Sequence, residues 1–155
     1  LESTIVDCSN DVPTILRVGV IKRSEIESCL GIQVRVSQVE GKRQNSPGSS
    51  LIHYSPRTAF RLISKSEIEK DLLDLCEKGK TFLWCFEKPA HTHQNLIVEV
   101  APSCPMEYGR QLYSKLNSLD REQLALILFE EPPIDEDWNA VCDRLEKAKN
   151  RYKTI

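Results

Sequence analysis

An α+β fold, with a mixed β-sheet covered by helices and a predominantly helical C-terminal third, is what the sequence predicts. Three observations point to it. Short apolar runs of strand length, at 14–21, 81–86 and 96–101, alternate with segments of helical periodicity. Ser24 with Glu27 and Ser66 with Glu69 have the spacing of a capping box at a helix start. From Pro105 onward, most apolar residues recur three and four apart, the period of a helix buried on one side.

Residues 14–21, rich in Ile, Leu and Val and preceded by Pro13, read as a buried strand. Each side chain of the Ser24 and Glu27 pair can satisfy a free backbone N–H, and Gly31 is placed to end that turn of helix. Ile32, Val34 and Val36 then alternate with Gln33, Arg35 and Ser37, as in a strand with one wet face. Gly41, Asn45, Pro47 and Gly48 follow with no apolar period, so 41–50 is expected to be an exposed loop.

Residues 51–54 are a short strand candidate, and strand character resumes over 59–63 beyond Ser55-Pro56. Ile68, Leu72, Leu75 and Cys76 form one face of the helix opened by Ser66 and closed by Gly79. With the run 81–86 after it, 59–86 has the pattern of a βαβ unit carrying a parallel pair. A polar turn at 89–95 then suggests that 96–101 returns as the second arm of a hairpin.

Pro105 suits the first turn of a helix with Tyr108, Leu112, Leu116 and Leu119 on one side. Residues 120–129 fit two periods: Leu124, Ile127 and Leu128 make a helical face, while Leu124, Leu126 and Leu128 alternate as in a strand. Asp120 as a cap favours helix. Beyond Pro132-Pro133, Asp135 can cap a last helix with Trp138, Val141, Cys142, Leu145, Ala148 and Tyr152 as its apolar stripe.

The whole chain bounds the function only loosely. Its 155 residues are the size of one globular domain, spanning 1–155, and bury enough apolar surface to fold without disulfides or metal. Because it opens on Leu1, it is expected to be a fragment of, or a subunit in, a larger assembly. A net charge of −2 with intermixed signs lacks the one-signed field of a dedicated nucleic-acid or membrane binder. No run approaches the roughly 20 apolar residues of a membrane helix. Cys8, Cys29, Cys76, Cys85, Cys104 and Cys142 are spread without pairing, which suits free thiols in the nucleus or cytoplasm better than a disulfide scaffold.

Candidate chemistry is sparse. Cys85, His91, His93 and Cys104 are soft and imidazole ligands near one another in sequence, but their spacing matches no standard zinc pattern. The same residues contain a Cys-His nucleophile pair only if one thiol is exposed beside an imidazole. No phosphate-loop, dinucleotide, serine-hydrolase or zinc-protease motif occurs, so no cofactor, metal or catalytic residue is expected. Glu130, Glu131, Asp135, Glu136 and Asp137 form an acidic cluster about two prolines, read as a solvated helix start that could also face a partner. Lys42, Arg43, Arg57 and Arg61, with His53 and Tyr54, make a basic and aromatic stretch suited to single-stranded nucleic acid.

The helix, proline turn and Asp137-Trp138 pattern between Arg121 and Leu145 resembles the opening helices of death-fold adaptor domains. It covers a small part of the chain, and no function is carried over from it. The function expected from these readings is a protein-interaction or scaffold domain of an intracellular multiprotein complex rather than an enzyme. Lys42, Arg43, Arg57, Arg61, Glu130, Glu131 and Trp138 are its candidate partner contacts. Nucleic-acid association through 42–61 is the first alternative, and an enzyme or metal site centred on Cys85, His91 and His93 the second.

Overall fold

The computed structural model describes residues 1–37 and 55–149. In chain order these form β1 (Ile5–Asp7), β2 (Thr14–Arg17), α1 (Arg23–Leu30), β3 (Arg35–Val36), β4 (Phe60–Ile63), α2 (Lys65–Glu77), β5 (Thr81–Cys85), β6 (Leu96–Val100), α3 (Pro105–Leu119), β7 (Leu126–Glu130) and α4 (Asn139–Lys149). A 3₁₀ turn at Glu136–Trp138 leads into α4. The expected loop at 41–50 and the short strand at 51–54 lie outside the described residues.

Instead of one mixed sheet there are two, a small sheet in the order β1-β2-β3 and a larger one in the order β4-β7-β5-β6. In the small sheet β2 pairs antiparallel with β1 and parallel with β3. Every pairing in the large sheet is parallel. Parallel sheets are covered on both faces, so their central strands read as continuous apolar runs. All five residues of β5 are buried accordingly.

Alternation along the strands deals side chains to two layers. Ile63, Leu83, Cys85 and Leu128 meet Ile68, Leu72 and Cys76 of α2 on one face. Phe60, Leu62, Phe82, Trp84, Ile127 and Phe129 meet α3 and α4 on the other. The result is a parallel sheet flanked by helices.

Four local expectations are corrected by this arrangement. Residues 126–130 are the strand β7, inserted between β4 and β5, where helix was favoured over 120–129. Burial on both faces makes Ile127 apolar between Leu126 and Leu128, so a helical face competes with the strand alternation, and β7 also removes the likeness to a helical death-fold opening and makes the C-terminal third only partly helical. Second, β5 and β6 are parallel rather than a hairpin, joined by residues 86–95 without a helix. Third, β2 stops at Arg17, short of the expected 21. Fourth, the capping sits two residues earlier than expected: Ser64 and Glu67 form a full capping box, whereas at α1 only half of one exists, Glu25 accepting the Lys22 N–H while the Lys22 ammonium has no lone pair to offer. In each S-E-I-E repeat, the first of the two glutamates reaches back to the cap rather than the second.

Candidate functional site

Open parallel sheets bind ligands beyond the carboxyl ends of their strands, where neighbouring connections leave toward opposite faces. Here β4 runs into α2 on one face and β7 runs toward α4 on the other. The carboxyl end of β7 therefore sits at such a divergence. A crevice of about 180 Å³ opens there, lined by Lys65, Ile68 and Glu69 of α2, residues 87–91 of the β5–β6 connection, and Glu130.

Glu130 is the floor of this crevice and only 8% exposed. Alternation after Leu128 turns it toward α2, and its Oε2 accepts the Phe86 backbone N–H at 2.7 Å. That bond joins the carboxyl ends of β7 and β5. The Glu131 N–H, donated to the Ile63 carbonyl at 2.9 Å, joins the ends of β7 and β4. Above the floor, Lys65 Nζ donates to Glu87 Oε2 at 2.7 Å. The contact holds the Lys65 pKa above its ordinary value and the Glu87 pKa below its own, mainly through the hydrogen bond and then through the paired charges.

His91 lines the crevice mouth and is exposed, whereas His93 Nδ1 accepts the Asn95 N–H at 3.2 Å inside the connection. Cys85 faces α2 in the core, and burial together with the nearby Glu130 charge raises its pKa to about 11. Cys104 is the exposed residue preceding α3. These four residues do not come together: among the described residues no group of three or more His, Cys, Asp or Glu side chains can hold a metal ion. A thiol buried in apolar surroundings is a poor nucleophile at neutral pH.

Of the basic candidates, Lys42 and Arg43 lie outside the described residues, as do His53 and Tyr54. Arg61 is exposed on the edge strand β4 and ion-paired with Glu67. The Arg57 N–H donates to Asp120, bracing the entry to β4. Of the acidic candidates, Glu131 is exposed beside the crevice, while Glu136 accepts from the Ser24 N–H and hydroxyl at 2.9 and 2.8 Å. Trp138 is buried against Phe86 and Tyr108. Sequence reasoning missed Lys65, Glu69, Glu87 and Lys88 because the crevice depends on strand order, which no local pattern reports.

The family profile described as "Threonylcarbamoyl-AMP synthase, C-terminal domain" matches residues 21–149. The chain belongs to this family. Over 96% of its length it is 26% identical to threonylcarbamoyl-AMP synthase of Bacillus subtilis and 28% identical to that of Schizosaccharomyces pombe, covering 45% and 42% of those proteins. It thus spans less than half the length of these relatives. Its fold is similar to that of part of P. abyssi Sua5, solved with L-threonine, at a TM-score of 0.79 and 24% identity over 96% of this chain and 46% of that one. A doubly substituted variant of the same protein matches with a TM-score of 0.78.

Membership in the threonylcarbamoyl-AMP synthase C-terminal domain family overturns the expectation of a scaffold domain or complex subunit. That expectation rested on missing catalytic motifs. A C-terminal domain can lack them while the longer protein of which it is a part is an enzyme. Among the described residues, no helix is long and apolar enough to cross a membrane.

Proposed function

We propose that the chain serves as the C-terminal domain of an enzyme that forms threonylcarbamoyl-AMP. The observation that carries this reading is the family match over 21–149, supported by two relatives of that name aligned along nearly the whole chain. The product named is an adenylate, so a nucleotide is the nucleic-acid chemistry that belongs to this reading. The six free thiols suit work inside the cell.

The domain's part in that activity is supportive rather than chemical. Among its described residues no group of three or more His, Cys, Asp or Glu side chains can hold a metal ion, and the candidate crevice offers a recess for a ligand. The test is an assay of the longer protein with ATP, L-threonine and bicarbonate, read by mass spectrometry. A time-dependent threonylcarbamoyl-AMP signal is the expected result. Its absence from protein shown to be folded would contradict the reading.

A further inference from the structure

The floor of the crevice carries more acceptor capacity than the protein uses. A carboxylate has two oxygens and about four lone-pair sites. Glu130 receives the Phe86 N–H on one oxygen. Burying a charge is costly unless it is paired and hydrogen-bonded, and Glu130 is 8% exposed. Of the two lysines that line the crevice, Lys65 is already committed to Glu87 at 2.7 Å.

The remaining lining restricts the ligand. Glu69, Glu87 and Glu130 face Lys65 and Lys88, an excess of carboxylates that opposes a polyphosphate and favours a cation. No glycine lines the crevice to let a backbone cradle approach a phosphate. At the start of α2, the Ser64 hydroxyl accepts from the Glu67 N–H at 3.3 Å, and Glu67 answers by accepting the Ser64 N–H at 2.8 Å. The helix end thus already has its own anion. A volume of about 180 Å³ is below the roughly 300–1,000 Å³ of pockets for drug-sized ligands.

We propose that this crevice binds a small α-amino acid, with its ammonium group on Glu130 and Glu69 and its carboxylate toward Lys88. The buried carboxylate supplies a directed acceptor for N–H donors, and Lys88 on the β5–β6 connection supplies the opposite charge at the mouth. This site goes beyond the synthase reading. It belongs to the domain itself and can be tested without any assay of synthesis.

The test is a ¹H–¹⁵N NMR titration of the 155-residue chain with L-alanine, L-serine and L-threonine, with acetate and AMP as controls. The expected result is saturable shifts of the Phe86, Lys88 and His91 amides for at least one amino acid and not for either control. Glu130→Gln keeps an acceptor for Phe86 but loses the charge, and is expected to weaken binding about tenfold. Lys88→Ala, on an exposed connection, is expected to weaken it several-fold with folding unchanged. No saturable shift with any of the three amino acids, shifts with AMP alone, or unchanged affinity in both variants would overturn the proposal. None of these outcomes bears on whether the longer protein makes threonylcarbamoyl-AMP.

Discussion

Arg144 Nε donates to Glu2 Oε2 at 2.8 Å, tying the last described helix to the first residues of the chain. The guanidinium is 1% exposed, pairs also with Asp143, and donates through Nη2 to the Val18 carbonyl at 3.1 Å. Burial opposes its charge, but the Glu2 hydrogen bond and the Asp143 and Glu2 charges outweigh that and hold its pKa above the ordinary value. Residues 1–20, which precede the family-matched region, are thereby clasped to the domain. Leu1 packs over Gly109 in the same clasp, where an added Cβ would meet its side chain at 2.7 Å.

Arg144→Ala leaves Glu2 and the Val18 carbonyl without this partner. Removing one member of a buried ion pair costs about 3–5 kcal/mol. The chain is expected to lose about 3 kcal/mol in urea denaturation. A midpoint within error of the parent would show that the clasp contributes nothing to stability.

Tyr108 presents the opposite case. Its ring packs on Trp84 at 4.2 Å between centroids, yet its buried hydroxyl has no hydrogen-bond partner among the described residues. Removing an unsatisfied buried group relieves a desolvation penalty of about 1–3 kcal/mol. Tyr108→Phe is therefore expected to be neutral or stabilising, and a loss above about 1 kcal/mol on denaturation would reveal a partner for that hydroxyl.

The fold was legible wherever local chemistry decides it. Strands β4 to β6 and helices α2 to α4 follow from apolar runs, caps and periodic stripes such as Ile68, Leu72 and Cys76. Strand β7 was only half legible: Leu124, Leu126 and Leu128 alternate as in a strand, but packing from both faces makes Ile127 apolar as well, so the run fits a helical face equally and Asp120 tips the reading to helix. The crevice stayed hidden for a related reason. Glu130 lies 43 residues from Glu87 and 65 from Lys65, and only the insertion of β7 between β4 and β5 makes them neighbours. Cys85 drew attention by its sequence distance from two histidines, whereas strand alternation had already turned it into the core.

Thiol reactivity should follow burial. The Cys85 pKa is raised to about 11, while Cys8, Cys29 and Cys104 are exposed. At pH 8, iodoacetamide is expected to label those three well before Cys85, which reacts only on unfolding. Peptide mapping with time gives the order. Labelling of Cys85 at the rate of the exposed thiols would contradict its place under α2.

Two glycines separate backbone strain from crowding. Gly31 ends α1 at φ 67 with nothing within 4 Å of an added Cβ, so Gly31→Ala is expected to cost about 1 kcal/mol from conformation alone. At Gly79, φ is 141 and an added Cβ would stand 2.8 Å from the Ala125 Cβ at the approach to β7. Gly79→Ala is expected to cost about 2–4 kcal/mol, strain and overpacking combined. Thermal unfolding of both variants checks the order, and equal losses would remove the contact with Ala125 as a cause.

The most direct measurement of the central claim compares the longer protein with a version lacking residues 21–149, both folded, for the rate of threonylcarbamoyl-AMP formation. If the chain is a working domain of such an enzyme, the shortened version loses most of the rate or of the substrate affinity. Equal kinetics in the two proteins would contradict that claim.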